Sequence, residues 1–180
     1  NPHPHGQIWS QSTLPNEVDK KDQQQRTYFS ENNTSLLGDY LEQELEANER
    51  IIYQNDDFVV LTPFWAVWPF ETMIIPKKQY INITKISEQE SLNFADAISK
   101  ITKAYDKLFD CSFPYSSGIH QSPTNGKIND YWHWHMSFYP PLLRSKTVKK
   151  FMVGYEMFGS PQRDITAEYA AKKLRNLICF

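Results

Sequence analysis

Apolar positions along this chain follow two rhythms, and each change of rhythm marks an element. Residues 35–50, SLLGDYLEQELEANER, place Leu37, Tyr40, Leu41 and Leu45 three or four apart, which predicts a short amphipathic helix. Residues 57–75, DFVVLTPFWAVWPFETMII, are dense in Val, Ile, Phe and Trp but broken by Pro63 and Pro69; two strands joined by a proline-containing bend fit best. Helical spacing returns over residues 87–109. Ser87 and Glu90 there have the spacing of a capping box, in which each side chain satisfies an orphan amide of the first turn. Leu92, Ala95, Ile98, Ile101, Tyr105 and Leu108 follow as one stripe, read as core. Strands are expected at 112–121, 131–139 and 149–158, and a last helix at 165–177 with Thr166 as its cap. Residues 16–33, rich in Lys, Asp and Gln, read as an exposed helix or long loop, and the opening NPHPHGQIWS reads as a strand.

At 180 residues the chain can bury one substantial core, and its start inside a histidine-rich stretch favours a piece of a longer protein. A formal net charge of −2 argues against a nucleic-acid binder that works through a broadly basic surface. Aromatic residues make up 14% of the chain, so large flat side chains must be buried or line a pocket. Cys111 and Cys179 are too few for a disulfide scaffold and lack CxxC spacing, which suits a reducing, cytoplasmic setting. No run of about 18 apolar residues is present to span a bilayer as a helix, and no membrane partner is expected.

The chemistry concentrates in the histidines. On an extended strand His3, His5 and Gln7 would share one face, with Pro4, Gly6 and Ile8 on the other. Three readings compete for this pair. They can be surface histidines, two ligands of one metal ion, or a nucleophile and its neighbour, since a neutral imidazole attacks phosphorus without losing a proton and leaves again readily. On the third reading Gly6 lets a phosphate approach the backbone and Gln7 donates its amide to a phosphoryl oxygen. A second group is His120 with His133 and His135, the last two expected on one strand face with Ser137. It reads equally as a metal site with an open position or as a hydrogen-bonded core layer with Trp132 and Trp134. Lys150, Tyr155, Glu156, Gln162 and Arg163 gather groups suited to a sugar phosphate. His3–Trp9 and His133–Tyr139 also echo one another as His-x-His-x-polar-apolar-aromatic, a weak sign of duplication.

Taken in order, NPHPHGQIW, LPNE, PFWAVWPFETMIIPK, YDKLFDCSFPYS, YPPLLRS, VKKFMVGYEM and QRDITAE resemble the galactose-1-phosphate uridylyltransferases, a branch of the histidine-triad superfamily. The resemblance runs over nearly the whole chain. It implies an α+β fold, a histidine-triad-like half-barrel of mostly antiparallel strands with flanking helices, as a fragment of a two-repeat protein that works as a homodimer. Residues 1–34 would end the first repeat, and residues 35–180 would form the second. The implied reaction moves UMP between UDP-glucose and galactose 1-phosphate, releasing glucose 1-phosphate and UDP-galactose, through a uridylylated His5 assisted by Gln7. Lys150, Val153, Tyr155, Glu156 and Gln162 fall on the hexose-contacting positions, which serve the partner's site in the dimer. His3 matches one ligand of a structural zinc whose other ligands lie outside this chain, so the 180 residues alone are expected to be inactive.

The chain also departs from the pattern the resemblance implies. A second metal site there takes one Glu and three His. Here His120 and His135 match two of the histidines, but Lys21 stands at the Glu position and Ser137 at the third His, with His133 as an extra imidazole nearby. A cation and a hydroxyl in those places should leave the site vacant or weakly held. Two other readings stand beside the leading one: a related histidine-triad nucleotidyltransferase or phosphorylase with another acceptor, and a degenerate, non-catalytic paralogue.

Overall fold

In the computed structural model of the chain, residue 3, residues 6–8 and residues 10–178 are described. Helices α1 (Asn16–Asn32) and α2 (Leu36–Ala47) precede strands β1 (Ile51–Gln54), β2 (Phe58–Leu61) and β3 (Thr72–Pro76). Helix α3 (Glu88–Leu108), strands β4 (Ser116–His120) and β5 (His135–Tyr139), the short α4 (Gly154–Phe158) and α5 (Ala167–Ile178) follow. The strands form one open sheet in the order β1-β2-β3-β5-β4, antiparallel at every pairing. This is the half-barrel with flanking helices that the resemblance implies. No helix among the described residues is long and apolar enough to cross a membrane.

The unbroken apolar runs of β2 and β3 are explained by burial on both faces. Phe58, Val60 and Ile74 join Ile101 and Ala104 of α3 and Leu174 of α5 in the larger core. Val59, Leu61, Met73 and Ile75 turn to the other face and pack on Leu37 and Leu41 of α2. The proline bend expected between the strands is present, and Phe70 within it takes a left-handed conformation at φ 61°. A bulky residue adopts this backbone only at a cost. Burial of its ring and the hydrogen bond that Tyr105 Oη donates to its carbonyl, at 2.7 Å, offset that cost.

Helix α3 opens with the expected capping box: Glu90 N donates to Ser87 Oγ at 3.2 Å and Ser87 N to Glu90 Oε2 at 2.6 Å. Its core face is rotated from the expected stripe. Phe94, Ala97, Ile101, Ala104, Tyr105 and Leu108 are buried, whereas Leu92 is 61% exposed and Ala95 faces solvent. The Phe94 ring sets this rotation, lying 5.2 Å from the rings of both Phe58 and Trp134. Thr166 caps α5, as expected, by accepting from Tyr169 N at 3.2 Å.

Other expectations are corrected. Residues 149–158 form no strand: Lys149 makes one isolated bridge to Leu142, and residues 154–158 are a helical turn closed by Met157 N donating to Val153 O. Their alternating apolar side chains meet no sheet edge, and Phe151 and Phe158 stand exposed. Strand β5 begins only at His135, because Trp132 N and Trp134 N donate to Asn129 O and Tyr80 O and turn residues 131–134 off the ladder. Strand β4 is confined to 116–120, and α2 ends before Asn48, whose φ of 51° stops the helix. Strand β1 was missed. The described residues of the opening stretch, Gly6, Gln7, Ile8 and Ser10, carry no strand.

Ser87→Ala is expected to lower stability by about 1 kcal/mol, read as a drop in Tm. The Glu90 carboxylate is held below the usual glutamate range by the N–H of Ser87 and then by the Tyr80 hydroxyl. A depressed folded pKa adds stability above the unfolded value of about 4.3, and that stability is lost as the pH falls through the folded one. The parent should therefore melt above Glu90→Gln at neutral pH, with the gap closing in acid. A gap that does not change with pH would refute this role for the charge.

Candidate functional site

The antiparallel register pairs His120 of β4 with His135 of β5, and directly opposed residues share a face. Their rings accordingly lie 5.0 Å apart and within 17° of parallel. One step along, Ser137 opposes Gly118 on one side and Met73 on the other, so small side chains leave the sheet surface open there. Helix α1 crosses above this surface. Between them runs a groove of about 870 Å³, lined among others by Lys21, Glu71, His135, Ser137, Tyr139 and Glu156.

Helix α1 is the reading of residues 16–33 that the structure selects, and its inner side is polar. Tyr131 Oη donates to Asp22 Oδ1 at 2.5 Å, and Gln25 Oε1 accepts from His133 N at 3.1 Å. Lys21 Nζ donates to His135 Nε2 at 3.4 Å, while His135 Nδ1 donates to the His133 carbonyl at 3.2 Å. His120 Nε2 is buried and has no hydrogen-bond partner among the described residues. Burial, then the Lys21 charge, lowers the His120 pKa to about 4 and drives that of His135 well down. Both rings are neutral at pH 7. Burial also pulls the Lys21 pKa below the usual lysine range, opposed by Glu71 and Glu17.

His133 does not join this pair. It precedes β5 and is fully buried, and its ring is engaged at both nitrogens: Nε2 faces the Pro76 carbonyl at 2.9 Å and Nδ1 faces Ser35 Oγ at 3.4 Å. This matches the core-layer reading of that histidine. Among the described residues no three His, Cys, Asp or Glu side chains converge to hold a metal ion. With two imidazoles, an ammonium and a hydroxyl at the positions where the resemblance implies Glu and three His, the donor set does not fit a divalent ion.

Of the second group, Lys150, Glu156 and Gln162 come together around Asp164, whereas the Arg163 guanidinium lies over the Phe64 ring. Lys150 is 7% exposed, and its Nζ donates to Glu156 Oε1 at 2.8 Å, Gln162 O at 3.2 Å and Asp164 Oδ2 at 2.5 Å. Gln162 N donates to the same Glu156 oxygen at 3.2 Å. Burial pulls the Lys150 pKa down, and Asp164 and Glu156 outweigh it, so the ammonium is held above the ordinary lysine value. All three of its N–H donors are used. Val153 and Tyr155 stand exposed beside it, and a second hollow of about 320 Å³ touches Lys150, Trp68 and Tyr139. The sequence pattern missed Asp164, although it lies two residues beyond Gln162, and Glu71, whose carboxylate accepts from Val67 N and Trp68 N at 3.0 and 3.2 Å.

His3 and Gln7 are exposed, and the expected nucleophile His5 lies outside the described residues.

Comparison with known proteins gives a consistent answer. The family model for the C-terminal domain of galactose-1-phosphate uridyl transferase matches residues 20–179. The chain is 51% identical over 177 residues to the galactose-1-phosphate uridylyltransferase of Haemophilus influenzae, covering 98% of this chain and 51% of that protein. With the enzyme of the same name from Schizosaccharomyces pombe it shares 48% identity over 180 residues, 98% of this chain and 48% of that one. The chain thus spans about half the length of the curated relatives it matches. A solved uridylyltransferase superposes with a TM-score of 0.83 at 24% identity, over 93% of this chain and 52% of that one. An ADP-glucose phosphorylase from Arabidopsis thaliana, solved with ADP-glucose, superposes at 0.75 and 23% identity, over 91% and 50%. These two share the fold.

Removing the Lys150 ammonium strands two carboxylates. Lys150→Met is expected to weaken the segment by about 3 kcal/mol and to speed proteolytic cleavage within residues 151–163. Cleavage at the parental rate would show that the ammonium does not hold this segment.

Proposed function

The chain belongs to the galactose-1-phosphate uridyl transferase family, and from that premise we propose that the protein it comes from exchanges UMP between UDP-glucose and galactose 1-phosphate. The observation that carries this reading is identity of 48–51% to enzymes of that name across 98% of the chain. In the first displacement a ring nitrogen of His5 attacks the uridylyl phosphorus of UDP-glucose; the N–P bond forms as the P–O bond to glucose 1-phosphate breaks. In the second, a phosphate oxygen of galactose 1-phosphate attacks the same phosphorus, the N–P bond breaks, and UDP-galactose leaves with His5 regenerated. A neutral imidazole suits both steps, as nucleophile and then as leaving group. Gln7 would steady the phosphoryl oxygens through its amide.

Lys150, Val153, Tyr155, Glu156 and Gln162 would receive the hexose phosphate. Lys150 already spends its donors on Glu156, Gln162 and Asp164, so a phosphate must displace one of those acceptors to reach the ammonium. The exposed Phe151, Val153, Tyr155 and Met157 beside this group favour a homodimer in which the segment meets the partner's site. We assign residues 1–34 to the end of a first repeat and 35–180 to a second. His3 would contribute to a structural zinc, which would order the stretch carrying His5; one imidazole cannot hold zinc, so the site needs further ligands. The cysteine usage suits the cytoplasm.

Incubating the full-length protein with UDP-glucose labelled in the uridylyl phosphate should leave an acid-labile label on the protein, discharged by galactose 1-phosphate. His5→Asn should remove the label. Label that survives this substitution, or a parent that takes none, would sink the mechanism. A panel of acceptor phosphates separates it from a nucleotidyltransferase with another acceptor.

A further inference from the structure

We propose that the Lys21 ammonium is a built-in replacement for a metal ion: it occupies the α1 side of the His120–His135 pair, pins α1 to β5, and excludes divalent cations from the groove. The inference rests on family membership for what the site would otherwise hold, and not on uridylyl transfer.

Lys21 is half-buried and reaches His135 Nε2, the ring nitrogen not bonded to the His133 carbonyl. That nitrogen is the one a metal would need. His135 Nδ1 donates to a backbone carbonyl, so Nε2 carries the lone pair, and the ammonium takes it. An ammonium is a donor only and cannot ligate. Its charge, a few ångströms from any ion lodged between the two rings, repels that ion.

The rest of the surroundings offers no compensation. Ser137, opposite Gly118, presents a short hydroxyl to the groove in place of an imidazole. His133 is committed to Pro76 O and Ser35 Oγ. Of the carboxylates lining the same groove, Glu71 is bound to the amides of Val67 and Trp68, Glu156 to Lys150 and the amide of Gln162, and Glu17 is paired with Lys20. A metal would cross-link several elements at once, and here a single hydrogen bond from Lys21 makes the corresponding link between α1 and β5. Gln25, one turn along α1, adds its bond to His133 N on the same side. His120 Nε2 lies buried beside the His135 ring and has no hydrogen-bond partner among the described residues, so Lys21 engages only one of the two rings.

The test measures metal content of the full-length protein after equilibration with Co²⁺ and desalting, together with its d–d absorption and Tm. Parent and His120→Gln are expected to hold equal amounts of cobalt. Lys21→Glu combined with Ser137→His is expected to gain about one ion per chain, with the visible bands of a nitrogen and oxygen site. Lys21→Met, which keeps the stem and removes the charge, is expected to melt below the parent and to cleave faster in α1. A parent that loses an ion on His120→Gln overturns the proposal, as does a folded double variant that gains none or a Lys21→Met that melts with the parent. If the double variant does not fold, the comparisons with His120→Gln and Lys21→Met decide alone. None of these measurements reads uridylyl transfer, so failure here and failure of the proposed reaction are distinguishable.

Discussion

Strand β3 lies at the middle of the sheet with every residue buried, and keeping both of its faces dry is the constraint from which the other layers follow. Ile74 needs the α3 and α5 layer; Met73 and Ile75 need a cover on the opposite face. Each such side chain contributes about 1.5–3 kcal/mol when fully buried. An uncovered face would forfeit several of these at once, a loss on the scale of a whole domain's stability. Helix α2 covers the β1–β2–β3 half. It is fixed in turn by Arg50, which bridges Glu44 of α2 and Glu168 of α5, and by Arg175, which donates to the carbonyls of Asn48, Glu49 and Ile51.

The β3–β5–β4 half is covered differently. Its outer row passes from Met73 through Ser137 to Gly118 and from His135 to His120, so a greasy helix would bury polar atoms without partners. Helix α1 answers with Lys21, Asp22 and Gln25, each bonded to this half of the molecule. Unmade hydrogen bonds in a buried layer cost about 1–3 kcal/mol each, so the match of donors to acceptors, more than apolar area, sets where α1 sits. Imperfect matching leaves a groove, and in that groove the chain keeps its ionisable groups.

This division explains what the sequence pattern revealed and what it hid. Elements held by apolar periodicity or by a local cap were legible: α2, the two strands around Pro63 and Pro69, the Ser87–Glu90 box and Thr166. Helix α1 was ambiguous, because its buried residues are Asp22 and Gln25, and Val18 and Phe29, which pack against the core, are too few to make an apolar stripe. Strand β1 escaped because Ile51–Gln54 is too short to show alternation. The stretch 149–158 shows strand-like alternation but has no sheet edge to pair with, and periodicity cannot report a missing partner. At the site, Lys150, Glu156 and Gln162 were legible as a group; Asp164 and Glu71 were not, since an acid next to an arginine or in a proline loop reads as solvated surface.

The two lysines show how the same buried charge can be given opposite roles. Lys150 sits among Glu156, Asp164 and a carbonyl, so its charge is neutralised and the three bonds fasten the segment that carries Val153 and Tyr155. Such a cluster can trade a carboxylate for an incoming phosphate, because either anion satisfies the ammonium and the exchange conserves charge-assisted bonds. Lys21 faces a neutral imidazole and sets its ammonium in the groove, with Glu71 held on amides across from it. No exchange of that kind is open to it: an anion would have to enter a cleft that Glu71 and Glu156 also line, and a cation meets the ammonium. The first lysine sits where an anion can replace its partner and the second where none can, and the difference lies in whether the partner is a carboxylate or a ring nitrogen.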